Sequence, residues 1–253
     1  MDFNTGSSPE GAAGSGSSSG GSGGAPPSMA AAGGEFDYRD PVQSFVRTVT
    51  AIVTQPVAFF RGMQRQGDFV NPLIFSLICW EISAIIGGIL GILGSVVGLG
   101  TRGVGGSLGS FLGSLILTPI IAAIVLVIAA AIIHLLVILI VKPVDTTFET
   151  TFRIVAYSDV AALIFWIPIL GGIVGGIWYT VLSIFGVREA HSTTMGQAAL
   201  VVLAPGIVVA IIISIILYNV FVGPPSFAAV IIFLLMLILI AVLGIVVVLR
   251  RRQ

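Results

Sequence analysis

The sequence predicts an all-α, polytopic membrane protein, a bundle of six transmembrane helices preceded by an interfacial amphipathic helix. Composition is the first reason. Of 253 residues, 57% are hydrophobic and 9% charged, against roughly 45–50% and about 25% in a soluble domain. Apolar stretches long enough to cross a hydrocarbon core are the second, since about 20 helical residues span roughly 30 Å. The third is the placement of the basic residues between those stretches. Eleven Lys and Arg balance eleven Asp and Glu, so no basic surface is on offer for nucleic-acid phosphates.

Residues 1–34 contain ten glycines and eight serines and no apolar run. Such a segment buries too little surface to offset its chain entropy, so a disordered cytoplasmic tail is expected. It lacks a basic stretch followed by an apolar one, so no cleavable signal peptide is expected and insertion is left to a later segment.

Across 40–66 the pattern becomes helical. Val42, Phe45, Val46, Val49, Ile52 and Val53 share one face, with Arg47, Thr48 and Thr50 on the other. After Pro56 a short segment presents Phe59, Phe60 and Met63 beside Arg61 and Arg65. This pattern suits helices lying in the membrane interface, and it also suits a small helix packed on its own protein.

The bundle is expected over 72–249, with spans near 72–98, 112–141, 155–169, 171–187, 198–222 and 226–249. The third and fourth stretches read either as two short helices or as one bent helix. Charge decides between them, because Lys and Arg in short loops favour the cytoplasmic side. With six spans, Arg39, Arg47, Arg61, Arg65, Lys142, Arg153, Arg188 and Arg250 to Arg252 fall on one side and Arg102 alone on the other. Fusing the two stretches spoils this division. The break coincides with Ile167-Pro168-Ile169-Leu170-Gly171-Gly172, whose Pro and paired Gly let a chain reverse. Both termini are therefore expected in the cytoplasm. The loop around 98–110 contains Gly98-x-Gly100-x-x-Gly103 but lacks the strand and acidic residue of a dinucleotide site, so it reads as a flexible connector.

Small residues repeat at Gly87 and Gly91, Gly94 and Gly98, Gly171 and Gly175, and Gly172 and Gly176. In lipid this spacing lets helix backbones approach, either within the bundle or in a homo-oligomer. Ionisable groups inside spans are costly and mark either function or a hydrogen-bonded staple. Glu81 and His134 fall at similar depths on antiparallel spans, roughly 13 Å and 10 Å from one face. Asp159 and Tyr157 lie closer to that face. These four form the candidate intramembrane polar cluster. Asn219 reads as an interhelical hydrogen-bond donor. With Cys79 as the single cysteine, and His134 and His191 as the two histidines, no disulfide framework, metal site or hydrolase motif is assembled, and no enzyme or cofactor is expected.

The stretch Phe148 to Asp159, then Phe165-Trp166-Ile167-Pro168 to Gly171, Ile177-Trp178, and Gly186 to His191 resembles the bacterial branch of the Yip-one domain family. These are the Ypt- and Rab-interacting membrane proteins, and the likeness extends over about 41–220. The motif residues that carry it are Phe152, Arg153, Tyr157, Pro168, Gly171, Gly186, Glu189 and His191. The resemblance implies a helical multispan fold with a cytoplasmic N-terminus and usually five spans, so the stretch at 226–249 is an addition. Eukaryotic members associate with Rab-type GTPases and with one another, but their GTPase-binding residues are not carried over to this chain.

The function expected is a non-enzymatic role in membrane organisation or partner scaffolding at a bacterial cytoplasmic membrane. Protein partners would dock on the loops around 145–153 and 188–197, with the bilayer as the other partner. The alternative is a small transporter or channel with a Glu81 and His134 proton or cation relay.

Overall fold

The computed structural model describes residues 34–99, 103–143 and 146–221, with side chains through Val208. The tail up to residue 33, the loop residues 100–102 and the stretch at 226–249 lie outside the described residues, as does the side chain of Asn219. Within them the chain is helical and contains no strand. The order is α1 (Pro41–Thr54), α2 (Pro56–Gly62), α3 (Val70–Val96), α4 (Val104–Leu136, continued by a π turn Val137–Val141), α5 (Phe148–Ser158, continued by a 3-10 segment Asp159–Ile164), α6 (Leu170–Ala190) and α7 (Met195–Phe221).

Three of these are long and apolar enough to cross a membrane: Val70–Val96, Val104–Val141 and Leu170–Ala190, with mean hydropathies of 2.1, 3.4 and 1.7. Little of their surface is buried in protein, 22% of the most apolar window for the first two and 33% for the third. On α3, Pro72, Phe75, Ser76, Cys79 and Ser83 form the buried stripe. Ile85, Ile89, Leu90 and Leu93 point outward. On α4 the buried stripe is Ala122, Leu126, Ala130 and Ile133, and Ile116, Ile120, Ile124 and Ile128 point outward. Apolar surface on this scale needs a lipid solvent, because soluble monomers rarely expose contiguous apolar patches beyond a few hundred Å².

The region expected as a third span is built differently. Its helix starts earlier, at Phe148, and every residue from Thr150 to Ser158 is buried. It is sheathed by α3, α4 and α6 instead of facing lipid on one side. Phe148 and Phe152 meet the Phe69 ring at centroid distances of 6.1 and 5.3 Å, next to the start of α3. Farther along, Trp166 packs on Gly87. The segment therefore runs beside about 18 residues of α3, or roughly 27 Å. It and α6 are two separate helices, reversed at Phe165–Ile169, where Ile169 takes a φ of 65°. The reversal is tight, since a Cβ on Gly171 would stand 2.2 Å from the Ile164 carbonyl oxygen and one on Gly175 would stand 2.2 Å from the Phe165 ring.

Three further features differ from expectation. The connector after Gly98 is short, because α4 already begins at Val104 with Gly103 as its N-cap. On α1 the face turned to the protein is Ser44, Thr48 and Ile52, while Val42, Val46 and Val53 are exposed. Thr48 tolerates burial because its hydroxyl donates to the Gly34 carbonyl at 2.8 Å. On α2, Phe59, Phe60 and Met63 are buried in protein. Gly186 of α6 admits Phe60 and Ile154, since a Cβ there would meet them at 3.2 and 2.4 Å. The aromatic face of α2 is thus spent on α6 and does not meet lipid.

The two overlapping glycine pairs make a test. Gly171→Ala must displace backbone and is expected to lower stability by about 1–3 kcal/mol. Gly172→Ala, one residue on, meets nothing within 4 Å and is expected to be neutral or to stabilise by up to about 1 kcal/mol. Thermal unfolding in detergent reads both, and equal losses would refute the packing described.

Candidate functional site

Helix α5 carries Glu149, Arg153 and Tyr157 at successive i, i+4 positions, so the three side chains share one face. That face meets two segments distant in sequence, the stretch before α1 and the loop between α2 and α3. Arg153 and Glu35 form an ion pair in which each side chain is only 3% exposed. Glu35 also accepts from Tyr157 Oη at 3.1 Å and from the Gln64 backbone N–H at 2.6 Å. Arg153 Nη1 donates to the Asp68 carbonyl at 2.9 Å and lies 3.6 Å from Glu149 Oε1. Thr150 Oγ1 donates to the Arg65 carbonyl at 2.7 Å. A buried guanidinium is tolerable only with such a set of acceptors.

The Tyr157 ring is clasped by aromatic side chains. Phe59 stands edge-on at 5.2 Å and Phe75 at 5.3 Å, with Phe36 and Phe45 against Phe75 in turn. Aromatic pairs in these geometries add about 0.5–1.5 kcal/mol beyond area burial.

A second chain of polar groups lies beside the first. His134 Nδ1 is 3.0 Å from Thr151 Oγ1, which is 3.4 Å from His191 Nε2, while His191 Nδ1 is 3.0 Å from Thr146 Oγ1. Burial, with His134 and the Arg65 charge nearby, lowers the His191 imidazole to about 4.

The four residues expected as one intramembrane cluster therefore occupy separate surroundings. Tyr157 joins Glu35 and Arg153. His134 joins Thr151, and through it His191. Asp159 Oδ2 accepts from Ser76 Oγ at 2.5 Å. Glu81 Oε2 is buried without a hydrogen-bond partner, and no hydrogen bond links Glu81 to His134.

The motif residues also find places. Phe152 stacks edge-on against Phe69. Pro168 closes the reversal, its carbonyl accepting from Leu170 N at 2.7 Å. Gly171 and Gly186 sit at the two tight approaches already described. Glu189 accepts from Arg61 Nε at 2.9 Å and from Arg188 Nε at 2.8 Å. Sequence reasoning missed Glu35, Asp68 and Thr151 as partners. The i, i+4 series on α5 was visible, but nothing local marks an acceptor 118 residues upstream. Of the packing glycines, Gly91, Gly94 and Gly98 have nothing within 4 Å of a built Cβ, whereas Gly88 is tight against Phe111 at 2.2 Å.

Residues 50–217 match the model of the Yip1 domain. The chain belongs to the Yip1 domain family. No curated protein and no solved structure gives a significant match. The match opens inside α1 and closes inside α7, so Arg153, Tyr157 and both histidines lie within the Yip1 domain. Glu35 lies ahead of it. The ion pair thus fastens the approach segment onto the domain. Together with its apolar helices, membership makes this a multi-pass, membrane-embedded protein.

Two outcomes follow from the geometry. Arg153→Met leaves Glu35 buried and unpaired and is expected to cost about 3–5 kcal/mol, with much of the loss recovered by adding Glu35→Gln. A double-mutant cycle on thermal unfolding checks this, and additive losses would refute the pair. The second concerns His191. Because its folded value lies below the ordinary 6.5, the unfolded chain binds the extra proton between pH 6.5 and about 4. Stability should therefore fall as pH drops through that window, by up to roughly 3 kcal/mol, and level off below it. His191→Gln should flatten the profile measured from pH 7 to 4.

Proposed function

We propose that this Yip1-family protein is a non-enzymatic organiser of a bacterial cytoplasmic membrane that docks a protein partner on its basic end. The observation that carries the reading is the buried Glu35–Arg153–Tyr157 network. It fixes the approach segment, the α2–α3 loop and α5 into one rigid end of the bundle. The outer surface of that end presents Arg65 and Lys142, both exposed, and neither belongs to an ion pair among the described residues. They flank an open cavity of about 530 Å³ that also takes in His191, Ser192, Thr193 and Gln197. The start of α7 adds its partial positive charge to the same place. Among the described residues no acidic side chain lines the cavity, and this favours an acidic protein segment as the partner.

The same clustering supports orientation. Arg61, Arg65, Lys142, Arg153 and Arg188 gather at one end of the helices, and basic ends of this kind stay in the cytoplasm. The Glu81 and His134 relay of a transporter draws no support from the geometry, since no hydrogen bond joins the two.

Two measurements test the reading. Cys79 is fully buried, so an impermeant maleimide should label Gln43→Cys only after cells are permeabilised, and Leu99→Cys in intact cells. The reverse pattern would invert the topology and remove the cytoplasmic docking face. Crosslinking in native membranes should capture a partner that is lost in the double variant Arg65→Glu, Lys142→Glu while thermal stability stays within about 0.5 kcal/mol. Capture unaffected by that charge reversal would sink the docking site.

A further inference from the structure

A second site lies away from the basic end. Between α3, α4, the 3-10 segment and α6 there is an open cavity of about 690 Å³, within the usual range of roughly 300–1,000 Å³ for small-molecule pockets. Two glycines one turn apart on α3 face different surroundings along its length. Gly88 receives the Phe111 ring, while Gly91 opposes open space. The wall is mostly apolar, with Val125 and Leu126 of α4 among its residues.

Its polar feature is Asp159. The carboxylate lines the cavity and accepts from Ser76 at 2.5 Å. Its hydrogen-bond partners, the Ser76 hydroxyl and the Trp80 side chain, are both neutral. Among the described residues none of the ion pairs involves Asp159, and no Lys or Arg lines the cavity. A buried carboxyl without a charged partner stays protonated or takes up a cation, so a cation that reaches the cavity finds its counter-charge here. The cavity wall also carries four aromatic side chains, Trp80, Phe165, Trp166 and Tyr179, of which Trp80 hydrogen-bonds to Asp159. Trp80 and Phe165 are locked edge to face at 5.2 Å, which fixes the ring surfaces. A carboxylate set among aromatic faces is the arrangement that attracts an ammonium group.

We propose that this cavity binds a hydrophobic amine, its ammonium against Asp159 and the surrounding rings and its apolar body along α4. The site accepts the ammonium whether it arrives on a free amine or on the headgroup of a bilayer aminolipid. The free amine is favoured, because a lipid phosphate would enter a cavity that offers it no cation. The proposal is independent of the docking surface, which lies at the basic end and uses other residues.

The test uses the full chain purified in an uncharged sugar detergent, with 4-phenylbutylamine as probe and 4-phenylbutanol as its uncharged counterpart. Tryptophan fluorescence reports binding directly, since Trp80 and Trp166 line the cavity, and equilibrium dialysis gives the stoichiometry. The amine should bind saturably at one site and about tenfold or more tighter than the alcohol. Asp159→Asn should abolish that preference. If this variant fails to fold, Gly91→Phe, which fills open space in the wall, should instead remove binding of both compounds. Displacement of the amine by added phosphatidylethanolamine, but not by phosphatidylglycerol, assigns the ammonium to a lipid headgroup, and lack of displacement assigns it to a free amine. Equal binding of amine and alcohol, or amine binding indifferent to both substitutions, would overturn the proposal.

Discussion

The end of the bundle is organised around one guanidinium. Helix α5 is buried on all sides, yet it carries Arg153 in its middle, where the side chain is 3% exposed. A charge in that position is stable only if acceptors converge on it. They come from three places: the Glu35 carboxylate, the Asp68 carbonyl and, at a longer distance, Glu149 of the same helix. Each acceptor brings its own segment, so burial of Arg153 dictates where the approach to α1 and the α2–α3 loop must lie. A hydrophobic replacement of the whole set would satisfy stability equally well. What the charged set adds is directional bonding, since Glu35 and the Asp68 carbonyl meet Arg153 at defined atoms.

The same logic runs outward from that end in the opposite sense. Polar groups are turned inward and apolar ones outward, because lipid is the solvent for most of α3 and α4. Interior hydroxyls can then bond locally, as Ser114 does to the Phe111 carbonyl at 2.7 Å and Thr180 to the Gly176 carbonyl at 2.8 Å. The tightening of α5 into a 3-10 segment at Asp159 sits at the junction of these regimes. The residues before it serve the ion-pair network, while Asp159 itself turns to Ser76 on α3 and to the cavity between α3, α4 and α6. The Phe59, Phe75 and Tyr157 rings fill the space next to the network, keeping the two polar sites chemically separate.

Legibility in the sequence followed dimension. Position along the chain was readable, because hydropathy reports it residue by residue. The starts and ends of α3, α6 and α7 fall within a few residues of expectation, and the reversal at Pro168 to Gly171 lies where the small residues put it. Rotation about each helix axis was not readable. Gly171 and Gly172 differ by about 100° of azimuth, and only the former meets a neighbour. Glu81 and His134, expected to meet, share no hydrogen bond among the described residues. The boundary of α5 was misplaced for a related reason: Thr150, Thr151 and Arg153 look like loop residues until their partners are known. Thr48 looked like an outward residue on α1 for want of the Gly34 carbonyl.

Glu35 marks the limit of what family membership conveys. The Yip1 domain match begins at residue 50 and supplies the helices, the Arg153 and Tyr157 side chains and the glycines that admit Phe60 and Phe165. It does not supply the carboxylate that neutralises Arg153. Any chain with this arginine buried in the same helix must find a counterion, either from ahead of the domain, as here, or from a loop or a partner. In this protein the approach segment fills that role, so the polar end is complete before any partner arrives. The charges left on the outside, Arg65 and Lys142 among the described residues, are thus separate from those consumed within.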